Sequence, residues 1–221
     1  ITSYTVVMRS RMSFLYAEKN AIAIQNNLKK SANIIALLVF PMSFGLAALA
    51  KGMVPWFFGE GYDKVIDILY VFSPVFVCMG YSHMMGTHIL TPSGQQGKSN
   101  VGQCAAAGIN VVLNACLIPI FSSIGAAIAS VISELTIVII YYYMVRNELS
   151  VKLLVLTAYK KFIAAIIMFI FLWNISKMLP VSIASSLVGI FLGIIVYGCS
   201  LILLRDKFVR EILHPIIHKR N

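Results

Sequence analysis

NVVLNACLIPIFSSIGAAIASVISE, residues 110–134, holds the end of one long apolar run, the start of the next, and the turn between them. The turn, PIFSS (119–123), is so short that the flanking runs must lie side by side and antiparallel. On the first run Gln103, Asn110 and Asn114 recur at helical spacing with Ala107 between them, which puts the amides on one helix face. Such a face must look at protein or water, because bare amides are costly in hydrocarbon. On the second run Gly125, Ala129 and Ser133 form a ridge of small residues suited to close helix packing. A neighbouring stripe carries Ala127, Ser130 and Glu134, and Glu134 is the one carboxylate near the middle of any apolar run. Across the hairpin Asn110 sits at similar depth, so it is the expected hydrogen-bond partner of Glu134.

Working outward, the whole chain has this character. It is 59% hydrophobic and 12% charged over 221 residues, about half the usual charge of a soluble domain. Its mean hydropathy is +0.87. So little polar surface cannot wrap a water-soluble globule, and the bilayer is the better solvent. Six runs reach the roughly 17 residues needed to span it: 31–50, 65–90, 102–118, 124–145, 162–179 and 181–204. The expected fold class is therefore an all-α integral membrane protein with a bundle of about six transmembrane helices. The second run is overlong, and Pro74 inside it predicts a kink.

The organisation follows from these runs. Residues 1–30 read as a basic, amphipathic cytoplasmic segment, 31–145 as four spans, and 146–161 as a cytoplasmic interfacial linker. Residues 162–204 read as two terminal spans and 205–221 as a basic cytoplasmic tail. PWFFGEGYDKV (55–65) reads as an outward-facing turn, with Gly59 and Gly61 permitting the reversal and Trp56, Phe57 and Tyr62 anchoring it at the headgroups.

The net charge of +10 does not mark a nucleic-acid surface, since the basic residues sit between apolar runs. Taken alternately, the connections hold fifteen of the eighteen lysines and arginines on one side, and only Lys51, Lys64 and Lys177 on the other. This bias predicts both termini in the cytoplasm. Cys78, Cys104, Cys116 and Cys199 all fall inside apolar runs without metal-ligand spacing, so neither a disulfide framework nor a metal site is expected, and no cofactor. His83 and His88 in the second run join the polar-face candidates. The sequence begins with Ile1 and its opening residues show no basic–apolar–cleavage pattern, so a fragment with an upstream part is expected.

Several segments, in order, resemble one family. FFGEGYDKVIDILYVFSP is similar to the FG-x-x-Y-x-x-A loop and following helix of polysaccharide-biosynthesis flippases, the Wzx-type O-antigen transporters of the MATE/MOP superfamily. VFPMSFGLAALA (39–50) resembles the preceding family helix, and residues 110–134 the family's asparagine-rich hairpin. VVMRSRMSFLYAEKN (6–20) resembles its P-R-hS-x-hYA segment, but Ser10 stands where the family has proline and Arg9 where it has an apolar residue.

The resemblance implies the C-terminal part of a longer transporter of roughly twelve to fourteen helices, in two bundles that rock about a central cavity. It implies a partner bundle upstream, a lipid-linked oligosaccharide as substrate, and the bacterial inner membrane as location. The substrate would be carried on undecaprenyl diphosphate, from the cytoplasmic to the outer leaflet. Arg9 and Arg11 are then the candidates for diphosphate contact, and Gln103, Asn110, Asn114, Glu134, His83 and His88 for the translocation path. The competing readings are a multidrug exporter of the same superfamily, a membrane-embedded polysaccharide polymerase or ligase, and an inactive remnant. An enzyme is disfavoured because the outward loops are short and one embedded glutamate is not a catalytic pair.

Overall fold

The computed structural model describes residues 2–178 and 180–218, with side chains described for 7–178 and 180–212. It is helical throughout, with no strand among the described residues. A short helix, α1 (Thr2–Ala17), leads into α2 (Ala21–Phe58), and the break between them is capped by Asn20, whose side chain accepts from the Ala23 amide at 3.1 Å. Then come α3 (Lys64–Phe72), α4 (Val75–Met85) and a π-helical turn (Gly86–Leu90). The chain continues with α5 (Gln96–Phe121), α6 (Ser123–Val145), α7 (Val151–Ser176), α8 (Ile183–Leu203) and α9 (Lys207–His218). Among the described residues six helical segments are long and apolar enough to cross a bilayer: α2, the stretch Lys64–Leu90, α5, α6, α7 and α8.

Helix α2 is the axis of the bundle. Leu28, Ala32, Ile35, Ala36 and Val39 recur at helical spacing and are all buried. One side of α2 packs on α7 and α8, the other on α4; α6 lies beyond α4, and α5 packs on α6 at the outside. Phe40 and Phe44 of α2 meet Phe162 of α7 edge to face, at 5.5 and 5.7 Å between ring centres.

Two prolines are accommodated by hydroxyls. Pro41 has no N–H for the Leu37 carbonyl one turn back, and the Tyr197 hydroxyl of α8 donates to that carbonyl instead, at 3.2 Å. Pro74 would similarly orphan the Tyr70 carbonyl, which accepts from the Ser73 hydroxyl at 3.1 Å. The first helix continues without interruption; at the second the chain breaks between α3 and α4, as the kink reading of Pro74 anticipated.

The loops gather at two ends. At one, Gln25 donates to the Glu148 carbonyl at 2.7 Å and Lys160 to the Arg205 carbonyl at 3.0 Å. At the other, the Trp56 indole donates to the Ser186 hydroxyl at 2.8 Å, and Tyr70 stacks near Trp173. The basic-rich connections share the first end. Lys219 and Arg220 lie outside the described residues, as does Leu179.

The span boundaries differ from expectation in three places. The helix read as 31–50 extends to Ala21 and Phe58, because long charged side chains at Lys29, Lys30 and Lys51 end a hydropathy window without ending a helix. The turn read from Pro55 therefore starts at Gly59; Gly59 and Gly61 do take positive φ, 91° and 88°. The interfacial linker at 146–161 is not a separate element. Only 146–150 is a turn; Ser150 caps α7 by accepting from the Leu153 amide at 3.2 Å, and the helix then runs unbroken past Lys161.

Candidate functional site

A cleft of about 850 Å³ opens between α1, the Lys64–Leu90 stretch, α5 and α6. Its floor is α6, where Ser130, Glu134, Ile137 and Tyr141 follow one another on a single face at helical spacing. Glu134 sits at the midpoint of α6, and Asn110 near the midpoint of α5. His83 and Thr87 reach the cleft from the α4 side, and Arg9 from α1.

The α5–α6 wall is built by close approach. Ser122 alone turns the chain, at φ 52°. Gly125 lies so near α5 that a Cβ there would stand 2.4 Å from the Leu117 carbonyl oxygen. The expected ridge is present: Gly125, Ala129 and Ser133 are all buried. At the far end of the hairpin, the Tyr141 hydroxyl donates to the Ser99 carbonyl at 3.0 Å and accepts from the Gln103 amide at 3.1 Å. Gly102 makes room for the Tyr141 ring, which would lie 2.8 Å from an added Cβ.

The structure brings five of the sequence candidates to this cleft: Arg9, His83, Gln103, Asn110 and Glu134. Asn114 supports it from behind, donating from Nδ2 to Asn110 Oδ1 at 2.8 Å. The expected Asn110–Glu134 hydrogen bond is not present; the Asn110 side chain instead accepts from Asn114, one turn along its own helix. Glu134 makes no hydrogen bond among the described residues, and His83 is the basic group within electrostatic reach. Arg11 is exposed on α1 but does not line the cleft, since two helical residues are about 200° apart. His88 does not line it either. It is fully buried in the π-helical turn, whose extra residue per turn changes which face its side chains occupy. Tyr141 was not singled out from the sequence, though its seven-residue spacing from Glu134 would have placed it on the same face.

Chemically, the cleft offers one guanidinium, one carboxylate, an imidazole, amides and hydroxyls. The serines are turned to their own backbone: Ser130 donates to the Ala126 carbonyl at 2.9 Å and Ser133 to Ala129 at 2.7 Å. Arg9 and Glu134 are not paired; among the described residues the ion pair is Lys161 with Asp206, elsewhere in the bundle. The arrangement can bind and release polar groups. It holds no nucleophile–base pair.

A polytopic helical bundle with a polar cleft between its helices has the architecture a membrane transporter needs. The chain belongs to the lipid II flippase MurJ family, whose model matches residues 1–198. This is a flippase family of the MOP superfamily, so the chain belongs with transporters and not with enzymes. The match is to this branch rather than to the Wzx-type O-antigen flippases that the motifs resemble. No curated protein and no solved structure matches the chain.

Proposed function

We propose that this chain forms the C-terminal bundle of a flippase that carries a polyprenyl-diphosphate-linked saccharide across the bacterial inner membrane, with its termini in the cytoplasm. The cleft between α1, α4, α5 and α6 is this bundle's share of the translocation path. One observation carries the reading. Gln103 and Asn110 line the cleft, the first exposed and the second half-buried near the midpoint of α5, so amide surface along this helix is open to the outside of the bundle. Facing lipid it would be costly; a second bundle that closes a hydrated cavity over it removes that cost.

The family's description favours the peptidoglycan precursor, lipid II, as cargo. The motif resemblance favours an O-antigen unit, which travels on the same carrier. In either case the amides and hydroxyls suit sugar hydroxyls, Arg9 suits a diphosphate oxygen, and rocking of the two bundles alternates access. A multidrug exporter is the less favoured reading, because the matching family is named for a lipid-linked substrate.

The test is flipping of fluorescent lipid II, and separately of an O-antigen precursor, by the full-length protein in proteoliposomes. Asn110→Leu and Glu134→Leu are expected to lower the rate about tenfold at equal protein, a loss of about 1.4 kcal/mol in transition-state stabilisation. Glu134→Gln is expected to be as impaired as Glu134→Leu, since no hydrogen bond is there for the amide to preserve. Wild-type rates in both leucine variants would show that the path lies elsewhere.

A further inference from the structure

On the opposite side of α2 from the polar cleft lies a second cleft of about 660 Å³, between the first turns of α2, the first turns of α7 and the start of α9. Lys29 and Lys30 come to it from α2, Lys160 from α7 and Lys207 from α9. None of the four is in an ion pair; the ion pair among the described residues is Lys161 with Asp206. Asp206 therefore brings no free negative charge to the cleft, and Glu211 is the remaining carboxylate in its lining. Four ammonium groups converging from three helices repel one another, and an anion among them relieves that repulsion.

The rest of the lining identifies the kind of anion. Leu156, Tyr159 and Ile212 also line the cleft and are exposed, at 59%, 43% and 44%. A soluble anion has no use for that apolar surface. The cleft also sits where helix ends gather, beyond the apolar middle of the spans, which is where headgroups meet a spanning bundle. The Lys160 ammonium is fixed there by donating to the Arg205 carbonyl at 3.0 Å, so one cation is already held in place.

We infer that the Lys29–Lys30–Lys160–Lys207 cleft binds the phosphodiester headgroup of an anionic phospholipid, with acyl chains against Leu156, Tyr159 and Ile212. The lysines take the phosphate oxygens as point charges. The lipid thereby joins α2, α7 and α9, whose mutual placement already depends on the buried Lys161–Asp206 pair beneath the cleft. The site shares no residue with the polar cleft and does not depend on what passes through it.

The experiment uses the full-length protein, delipidated in a neutral detergent and titrated with fluorescent phosphatidylglycerol or with phosphatidylcholine of the same chains. The wild type is expected to prefer phosphatidylglycerol about tenfold or more. Lys29→Gln/Lys160→Gln/Lys207→Gln is expected to lose about tenfold in phosphatidylglycerol affinity with phosphatidylcholine unchanged. Because Lys160 holds a backbone carbonyl, Lys29→Gln/Lys30→Gln is the second arm: it touches only exposed side chains and should lose about threefold or more. Lys98→Gln/Lys177→Gln, outside the cleft, should bind as the wild type does. Undiminished phosphatidylglycerol binding by both cleft variants overturns the inference. So does full displacement of the lipid by glycerol phosphate, which would make the site a soluble-anion site, or by an equal concentration of undecaprenyl diphosphate, which would assign it to the transported lipid.

Discussion

Lys161 Nζ and Asp206 Oδ2 are 3.0 Å apart and both are buried, with Lys161 1% exposed. The lysine's three protons are all used: the other two go to Asn33 Oδ1 of α2 at 2.9 Å and to the Thr157 carbonyl of α7 at 3.0 Å. Asp206 uses its second oxygen to cap α9, accepting from the Val209 amide at 3.1 Å. One ammonium thus ties α2, α7 and the α8–α9 turn together. Removing one partner leaves a buried charge uncompensated, so Lys161→Met or Asp206→Leu alone should cost about 3 kcal/mol or more. The double replacement should recover most of that. Thermal unfolding of the purified protein in detergent measures all three.

Gly125 is expected to be intolerant of even one methyl group. The obstacle is the Leu117 backbone and not a flexible side chain. Gly125→Ala should cost about 1–3 kcal/mol by the same unfolding measurement. Gly108→Ala, where an added Cβ meets nothing within 4 Å, should be neutral or mildly stabilising.

The Tyr16 hydroxyl donates to Glu148 Oε2 and ties α1 to the α6–α7 turn. Burial first, then the hydrogen bond and charge of Glu148, hold the phenol well above its usual range. A group raised in the folded state contributes fully below its unfolded pKa, about 10, and loses that contribution only as pH rises through the folded value. Attachment of α1 should therefore be constant from pH 6 to about 9. Tyr16→Phe should weaken it by about 1.5 kcal/mol, seen as roughly tenfold faster proteolysis near Lys19.

Orientation is tested with single cysteines in a background lacking the native four. Glu60 and Lys98 are both exposed and belong to opposite ends of the bundle; Ser99 is unsuitable because it is buried against Tyr141. With an impermeant thiol reagent on intact spheroplasts, Glu60→Cys is expected to label and Lys98→Cys to remain unlabelled until the membrane is opened. The reverse pattern would invert the topology.

How far the sequence could be read depended on the range of the forces involved. Pro74, the Gly59–Gly61 turn, the one-step hairpin at 119–123 and the Gly125–Ala129–Ser133 ridge are local or belong to adjacent helices, and each was legible. Lys161 was not. As part of KK at 160–161 it reads as a water-facing cation, and only Asp206 and Asn33, 45 and 128 residues away, make its burial tolerable. Glu134 and Asn110 each lie near the midpoint of their helix, but depth does not decide pairing: the Asn110 side chain bonds to Asn114 on its own helix. The π-helical turn leaves no clear mark in the sequence, so the divergence of His83 and His88 could not be read from their spacing.

The single-residue connection at Ser122 has a mechanical consequence. Helices joined so tightly, and seated backbone against backbone at Gly125, cannot slide past each other; they move as one stiff blade. Any change in the width of the cleft must then be absorbed on its opposite margin. There the backbone is interrupted twice, at Ser73–Pro74 and in the π-helical turn at 86–90, so that margin supplies the joints and the α5–α6 blade supplies the lever.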